Sequence, residues 1–192
     1  MKKRLTILFA LLAGAIVLAS CSHQAGSTSV ETKVSVSQAE STAIKGAIMD
    51  ADFVFTDEGV SFPLMSKLDD LVSHFGDDFE AHIAVSCAFE GNDKEIIYDG
   101  LSVYTNPIDG VDTIGEIIII GPNYLTPRGV SVGLTRDEVV AIYGPGFDEQ
   151  GVLVYTQSGI EGDMETPRLS FYFDEQDKVD SISFFIALYT QF

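Results

Sequence analysis

Basic side chains are scarce. The chain carries 11 Lys and Arg against 29 Asp and Glu, a formal charge of −18 over 192 residues. A protein that binds a polyanion needs a basic surface to displace counterions, so nucleic acid is excluded as a partner. Cysteine is scarcer: two residues cannot support a disulfide framework. Histidine occurs three times, at His23, His74 and His82, and there is no HExxH, no Cys/His cluster and no P-loop. No apolar run reaches the roughly 20 residues of a membrane helix. Tryptophan is absent, yet 13 Phe, 7 Tyr and a hydrophobic fraction of 46% exclude a wholly disordered acidic chain. The length allows one domain, or two very small ones.

What is present begins at the N-terminus. Met1-Lys2-Lys3-Arg4 precedes an apolar stretch from Leu5 to Leu18, interrupted only by Thr6 and Gly14. A basic start, a short apolar run and small residues at its end describe a secretory signal peptide over 1–20. The run ends in Leu18-Ala19-Ser20-Cys21, which resembles a bacterial lipobox. The resemblance implies diacylation of the Cys21 sulfur and a processed chain that starts there. Cleavage removes three basic residues and no acid, taking the formal charge from −18 to −21. Each buried methylene contributes about 0.8 kcal/mol, so two or three acyl chains anchor the protein without a spanning helix. Residues 22–47 are dominated by Ser, Thr, Gly, Gln and Ala and contain no aromatic. Such a segment cannot bury enough apolar surface to offset its ordering entropy. With Cys21 it reads as a flexible tether, 21–47, with a reach of roughly 25–30 Å.

The rest reads as a doubled unit, 48–125 and 126–192. Val60-Ser61-Phe62, SKLDDLVSHFG (66–76) and LSVYTNPIDGVDTIGEIIII (101–120) recur in order as Val130-Ser131-Val132, TRDEVVAIYG (135–144) and LSFYFDEQDKVDSISFFI (169–186). Recurrence of several signals in one order marks an internal duplication. Thr135 with Glu138 forms a capping box, and Ser66 with Asp69 a weaker version. Gly76 and Gly144 sit where a helix ends in a left-handed residue, and Pro145 cannot continue the helix. Leu64, Leu68, Leu71, Val72 and Phe75 form one apolar face, as do Val139, Val140 and Tyr143. The other segments alternate. Ile83, Val85, Cys87 and Phe89 oppose His82, Ala84, Ser86 and Ala88, which reads Cys87 as buried filler. Ile182, Phe184, Ile186 and Leu188 oppose Ser181, Ser183, Phe185 and Tyr189. The turns are rich in Gly, Asn and Asp, as in an antiparallel meander, and helices are too few to serve parallel crossovers. The expected fold class is α+β: an antiparallel sheet with helices packed on one face, in a tandem duplication.

The pattern GVSVGLTRDEVVAIYGPG, a Tyr-containing strand and LSFYFDEQDKVDSISF resembles the small lipoprotein domains of the BamE and beta-lactamase-inhibitory-protein type. The likeness covers 130–186 well and 60–120 loosely. It implies short helices on a curved antiparallel sheet, often in tandem, and speaks for fold more than for activity.

Chemistry finds no purchase in the residues. His74 reads as a solvated residue near a helix end, suited to that dipole. The acids Asp174, Glu175, Asp177 and Asp180, and likewise Glu161, Asp163 and Glu165, read as solvated loops without the Gly and bidentate Glu of an EF-hand. An enzyme would need a convergent acid pair, such as one involving Asp99 or Asp112. No cofactor, metal or catalytic set is expected. What remains is the sheet face away from the helices, where alternation places Ser102, Tyr104, Ser170, Tyr172, Ser183, Phe185 and Tyr189. Tyr supplies rigid amphipathic area and Ser adaptable hydrogen bonds, a composition suited to recognition. The expectation is a non-catalytic cell-envelope lipoprotein, on the extracytoplasmic side, that binds another envelope or secreted protein. The alternatives are an inhibitor of an extracytoplasmic enzyme or an outer-membrane assembly accessory. Replacing Cys21 by Ala is expected to abolish metabolic incorporation of labelled palmitate and move the protein from the membrane to the soluble fraction; unchanged labelling would refute the lipobox.

Overall fold

The computed structural model describes residues 48–188. The expected signal peptide, the lipidated Cys21, the tether up to residue 47, and Tyr189 lie outside them. A 3-10 turn at Asp50–Phe53 leads into a hairpin of β1 (Val54–Asp57) and β2 (Val60–Pro63). Helix α1 (Leu68–Phe75) follows, then a meander of β3 (Glu80–Val85), β4 (Asn92–Tyr98), β5 (Leu101–Ile108) and β6 (Val111–Ile119). The second half repeats the order with α2 (Arg136–Tyr143), β7 (Phe147–Glu149), β8 (Val152–Thr156), β9 (Arg168–Phe173) and β10 (Val179–Phe185). Every strand pair is antiparallel, and eight strands form one sheet in the order β3-β4-β5-β6-β10-β9-β8-β7. The last strands of the two halves therefore meet in the middle, pairing Ile182 with Ile119 and Phe185 with Glu116.

Turn chemistry sets the hairpins. Asp109-Gly110 and Gln150-Gly151 each hold two positive φ values, the type I′ geometry whose twist matches the flanking strands. One side of the sheet is apolar. Leu101, Val103, Ile117, Ile119, Leu169, Phe171, Ile182 and Phe184 are wholly buried there with Leu71 of α1 and Val139 of α2 in a single core. The hairpin adds Phe55 and Phe62 to that core, with Phe55 centroids 6.5 Å from Phe75 and 6.2 Å from Phe184. Among the described residues no helix is long and apolar enough to cross a membrane.

The two halves share small devices. In each, the segment before the helix bonds to the last strand of the same meander. Met65 N–H donates to the Ile114 carbonyl and Ile114 N–H to that of Ser66; Gly133 N–H donates to Val179 and Val179 N–H to Leu134. A ladder irregularity sits beside each contact, at Gly115 in β6 and between Val179 and Ser181 in β10. Each helix ends in a glycine with φ near +80° whose carbonyl accepts from a tyrosine hydroxyl on the second meander strand. Tyr98 reaches Gly76 at 3.0 Å and Tyr155 reaches Gly144 at 2.6 Å.

Several local expectations are corrected. Helix α1 starts at Leu68 with Lys67 as its N-cap and no side-chain cap, so Ser66 and Asp69 form no box. The chain before α1 is held by the β6 backbone instead. The Thr135–Glu138 box is present in α2. Strand β3 ends at Val85, and the Ser86 hydroxyl accepts from the Ala88 and Phe89 amides in the turn that follows. Cys87 is therefore exposed, not core filler, because β3 is an edge strand with all six residues exposed. Strand β10 stops at Phe185, so Ile186 and Leu188 do not continue its alternation. His74 is not freely solvated: Nε2 lies 2.9 Å from Asp57 Oδ2 and its ring packs between Phe62 and Phe75.

The tyrosine–glycine contacts give an asymmetric prediction. Tyr155 is fully buried and Gly144 half-buried, so Tyr155→Phe leaves a carbonyl poorly solvated, a loss of about 1–3 kcal/mol. Gly76 is exposed and water can replace the Tyr98 hydroxyl, so Tyr98→Phe is expected to cost only about 0.5–1.5 kcal/mol. Urea denaturation with unchanged m-values measures both; equal midpoints for wild type and Tyr155→Phe would show that the contact holds nothing.

Candidate functional site

The sheet face turned away from the core is organised in cross-strand rows, because directly paired residues of antiparallel strands share a face. One row runs Val154–Ser170–Ser183–Ile118–Ser102–Ile97. The adjacent row runs Arg168–Phe185–Glu116–Tyr104–Glu95–His82. Tyr172 stands two residues along from Ser170, opposite Ser181. All the described residues expected on the binding face, Ser102, Tyr104, Ser170, Tyr172, Ser183 and Phe185, are thus on it. Their exposure differs. Tyr104 and Tyr172 are 37% and 42% exposed and Phe185 is half-buried, while Ser102, Ser170 and Ser183 are buried.

Two glutamates close over the serines. Ser102 donates to Glu95 Oε1 at 3.1 Å and Ser183 to Glu116 Oε1 at 2.6 Å. Glu95 is a hub: it also accepts a short hydrogen bond from the Tyr104 hydroxyl and lies 3.0 Å from His82 Nδ1, whose Nε2 is 3.0 Å from Glu80. The Tyr104 hydrogen bond, aided by His82 and Ser102, holds the Glu95 carboxyl below its ordinary range. Glu95 and then Glu80 favour the imidazolium of His82, and Glu95 pushes the Tyr104 phenol up. Glu116 is shifted the other way. Burial raises its carboxyl pKa, and the Ser183 hydrogen bond only partly opposes this. Burial, then the charge of Glu116, raises that of Tyr172. Glu95 was legible only as part of a turn-like run, and Glu116 only as a lone acid in the apolar stretch IGEIIII. That stretch was the available signal, since a single Glu alternating with buried Ile marks the outward row.

The β7–β9 end of the face is covered where Arg168 lies. Arg168, 7% exposed, forms a short ion pair with Glu149 and donates to the Asp163 carbonyl at 3.2 Å. By register this bridge spans the row holding Phe147 and Val154, both buried outside the main core. Tyr172 lies further along β9, beyond that cover, so the open part is the middle, the β3 side and the Tyr172 end of β9.

Asp99 and Asp112 are not brought to each other. Asp99 lies in the turn beside Leu101 and Asp112 stands opposite Pro107, six residues further along β5 and so about 20 Å away. Asp112 also pairs with Lys94 at 2.5 Å. Carboxylate and imidazole atoms of Asp57, Glu58 and His74 lie within 4.8 Å of one another, close enough to share an ion. The Asp57–His74 contact ties the β1–β2 hairpin to the end of α1. Comparison with protein-family models, curated proteins and solved structures finds no match.

Burial of Glu116 has a signed consequence. Its raised folded-state pKa means that ionisation opposes folding: the penalty is absent below the unfolded value, about 4.3, and complete above the folded one. Glu116→Gln stays neutral and is expected to raise Tm at pH 7, with the difference vanishing towards pH 4 and below. A Tm gain independent of pH would show that desolvation of the carboxylate is not the cause.

Proposed function

We propose that this chain is a cell-envelope lipoprotein, held on the extracytoplasmic side of a membrane by an acylated Cys21, whose outward sheet face binds another envelope or secreted protein without chemistry. The observation that carries the reading is the pair Tyr104 and Tyr172, large rings exposed on the ordered face of a sheet whose other side is the core. Exposed aromatics gathered on one face mark interaction surfaces. The glutamates that cover the buried serines add acceptor groups beside the rings. Spacing the two tyrosines across β5 and β9 makes the face broad enough for a protein surface.

The two halves are proposed to be a tandem duplication of a helix-plus-meander unit, 48–125 and 126–192. The matched tyrosine–glycine contacts, the matched helix-to-last-strand bonds and the mirrored strand order support it. That arrangement agrees with the resemblance to the BamE and beta-lactamase-inhibitory-protein type, which rests on the sequence pattern alone.

The test is cross-linking of the full chain on intact cells, wild type against the double variant Tyr104→Ala/Tyr172→Ala. The variant is expected to lose its cross-linked partner while it stays folded, Tyr172→Ala costing about 0.5 kcal/mol and Tyr104→Ala about 1 kcal/mol through the lost bond to Glu95. A captured hydrolase that loses activity in a one-to-one complex would place the protein among inhibitors. Equal cross-linking by both proteins would overturn the face as the binding site, and a collapse in Tm would make the tyrosines structural.

A further inference from the structure

Glu116 is a half-buried carboxylate with little to hold it. Its one hydrogen bond among the described residues comes from Ser183, at 2.6 Å. The ion pairs of Lys94, Arg128, Arg136 and Arg168 all go to other acids. A charge removed from water without a paired cation is costly, so this position favours any arrangement that brings one. Its immediate cross-strand neighbours are aromatic on both sides: Tyr104 on β5 and Phe185 on β10. Opposite side chains in such pairs stand about 5 Å apart at Cβ, so a cation on the carboxylate would meet both rings.

The space beside it is shaped for one side chain. A cavity of about 290 Å³ opens between Tyr104, Glu116, Phe185, Asn106 and Leu188, with Gly115 in its wall. That is at the lower edge of small-molecule sites and suits a single long side chain better than a metabolite. A Cβ at Gly115 would lie 3.1 Å from Leu188 Cδ1 and 3.3 Å from Asn106 Oδ1, so the glycine keeps this corner open. Asn106 donates its amide nitrogen to Asp93 at 2.7 Å, which turns its acceptor oxygen towards Gly115. The cavity thus presents a carboxylate, an amide oxygen and two rings. These are acceptors and π faces, complementary to a donor-rich cation.

We propose that this cavity is a subsite for an arginine side chain of the partner protein, with the guanidinium paired to Glu116 and stacked between Tyr104 and Phe185. The inference rests on the reading of this face as a protein-binding surface and names the chemistry at its centre. Guanidinium is preferred over ammonium because it is planar, less strongly hydrated, stacks on aromatic rings and offers several donors at once. The strong acidity of the chain raises the local concentration of basic partners.

The probe is N-acetyl-arginine amide, titrated into the full-length chain and followed by amide chemical shifts. Saturable shifts are expected around residues 104–106, 114–118 and 183–186, with affinity at least tenfold lower for Glu116→Gln and unchanged for Ile142→Ala, an exposed position on α2 away from this face. N-acetyl-lysine amide should bind several-fold more weakly, and N-acetyl-citrulline amide, neutral but of the same shape, should not bind. No saturable shift, equal binding of the citrulline compound, or binding unaffected by Glu116→Gln would each overturn the subsite. Lysine binding as tightly as arginine would overturn the preference for guanidinium. If cross-linking on cells survives Glu116→Gln but not Tyr104→Ala/Tyr172→Ala, the arginine subsite fails and the binding face stands; if it survives all three substitutions, the face itself fails.

Discussion

Everything on the outward face depends on the pairing of β6 with β10. Those strands end the two meanders, and their antiparallel ladder turns two four-stranded pieces into one eight-stranded sheet. Without it Glu116 would have no Ser183 to receive a hydrogen bond from and no Phe185 beside it. The ladder also joins Ile117 and Ile119 to Ile182 and Phe184 in one buried layer. The same few residues therefore carry the core on one side and the candidate site on the other, because successive residues of a strand point to opposite faces.

Gly115 is where that ladder ends. An extra residue in β6 shifts the register against β5, so that Tyr104 stands opposite Glu116 while Thr105 stands opposite Ile114. Beyond the bulge the edge of β6 is taken over by the segment before α1, through Met65, Ser66 and Ile114. A bulge re-aims side chains and ends pairing, and here it does both. It keeps Ile114 in the core and leaves a glycine-walled gap beside Glu116. Irregularity in β10 near Val179 accompanies the same kind of contact in the other half.

Much of the fold is legible in the residues, for local reasons. The Thr135–Glu138 cap and the helix-ending glycines act over three or four positions, and each appears where the chain announces it. Alternation puts Ser102, Tyr104, Ser170, Tyr172, Ser183 and Phe185 on one face. The misreadings share a cause. Cys87 alternates correctly with Ile83 and Val85, but alternation does not say that β3 is an edge strand with nothing packed against it. His74 sits at a helix end that would be wet, except that the β1–β2 hairpin brings Asp57 and Phe62 to it. Glu95 belongs to a run that looks like a turn and becomes a hydrogen-bond hub once β4 pairs with β5.

By itself the sequence determined the sign of the surface, the α2 cap, the glycines that end both helices and the alternation of the central strands. These follow from composition and from interactions a few residues apart. Only the tertiary structure decided which strands are neighbours, and therefore that Glu116, Tyr104 and Phe185 stand side by side and that Arg168 closes the far end of the face. Register between strands distant in sequence is set by burial of the whole apolar layer at once, and no local pattern records it.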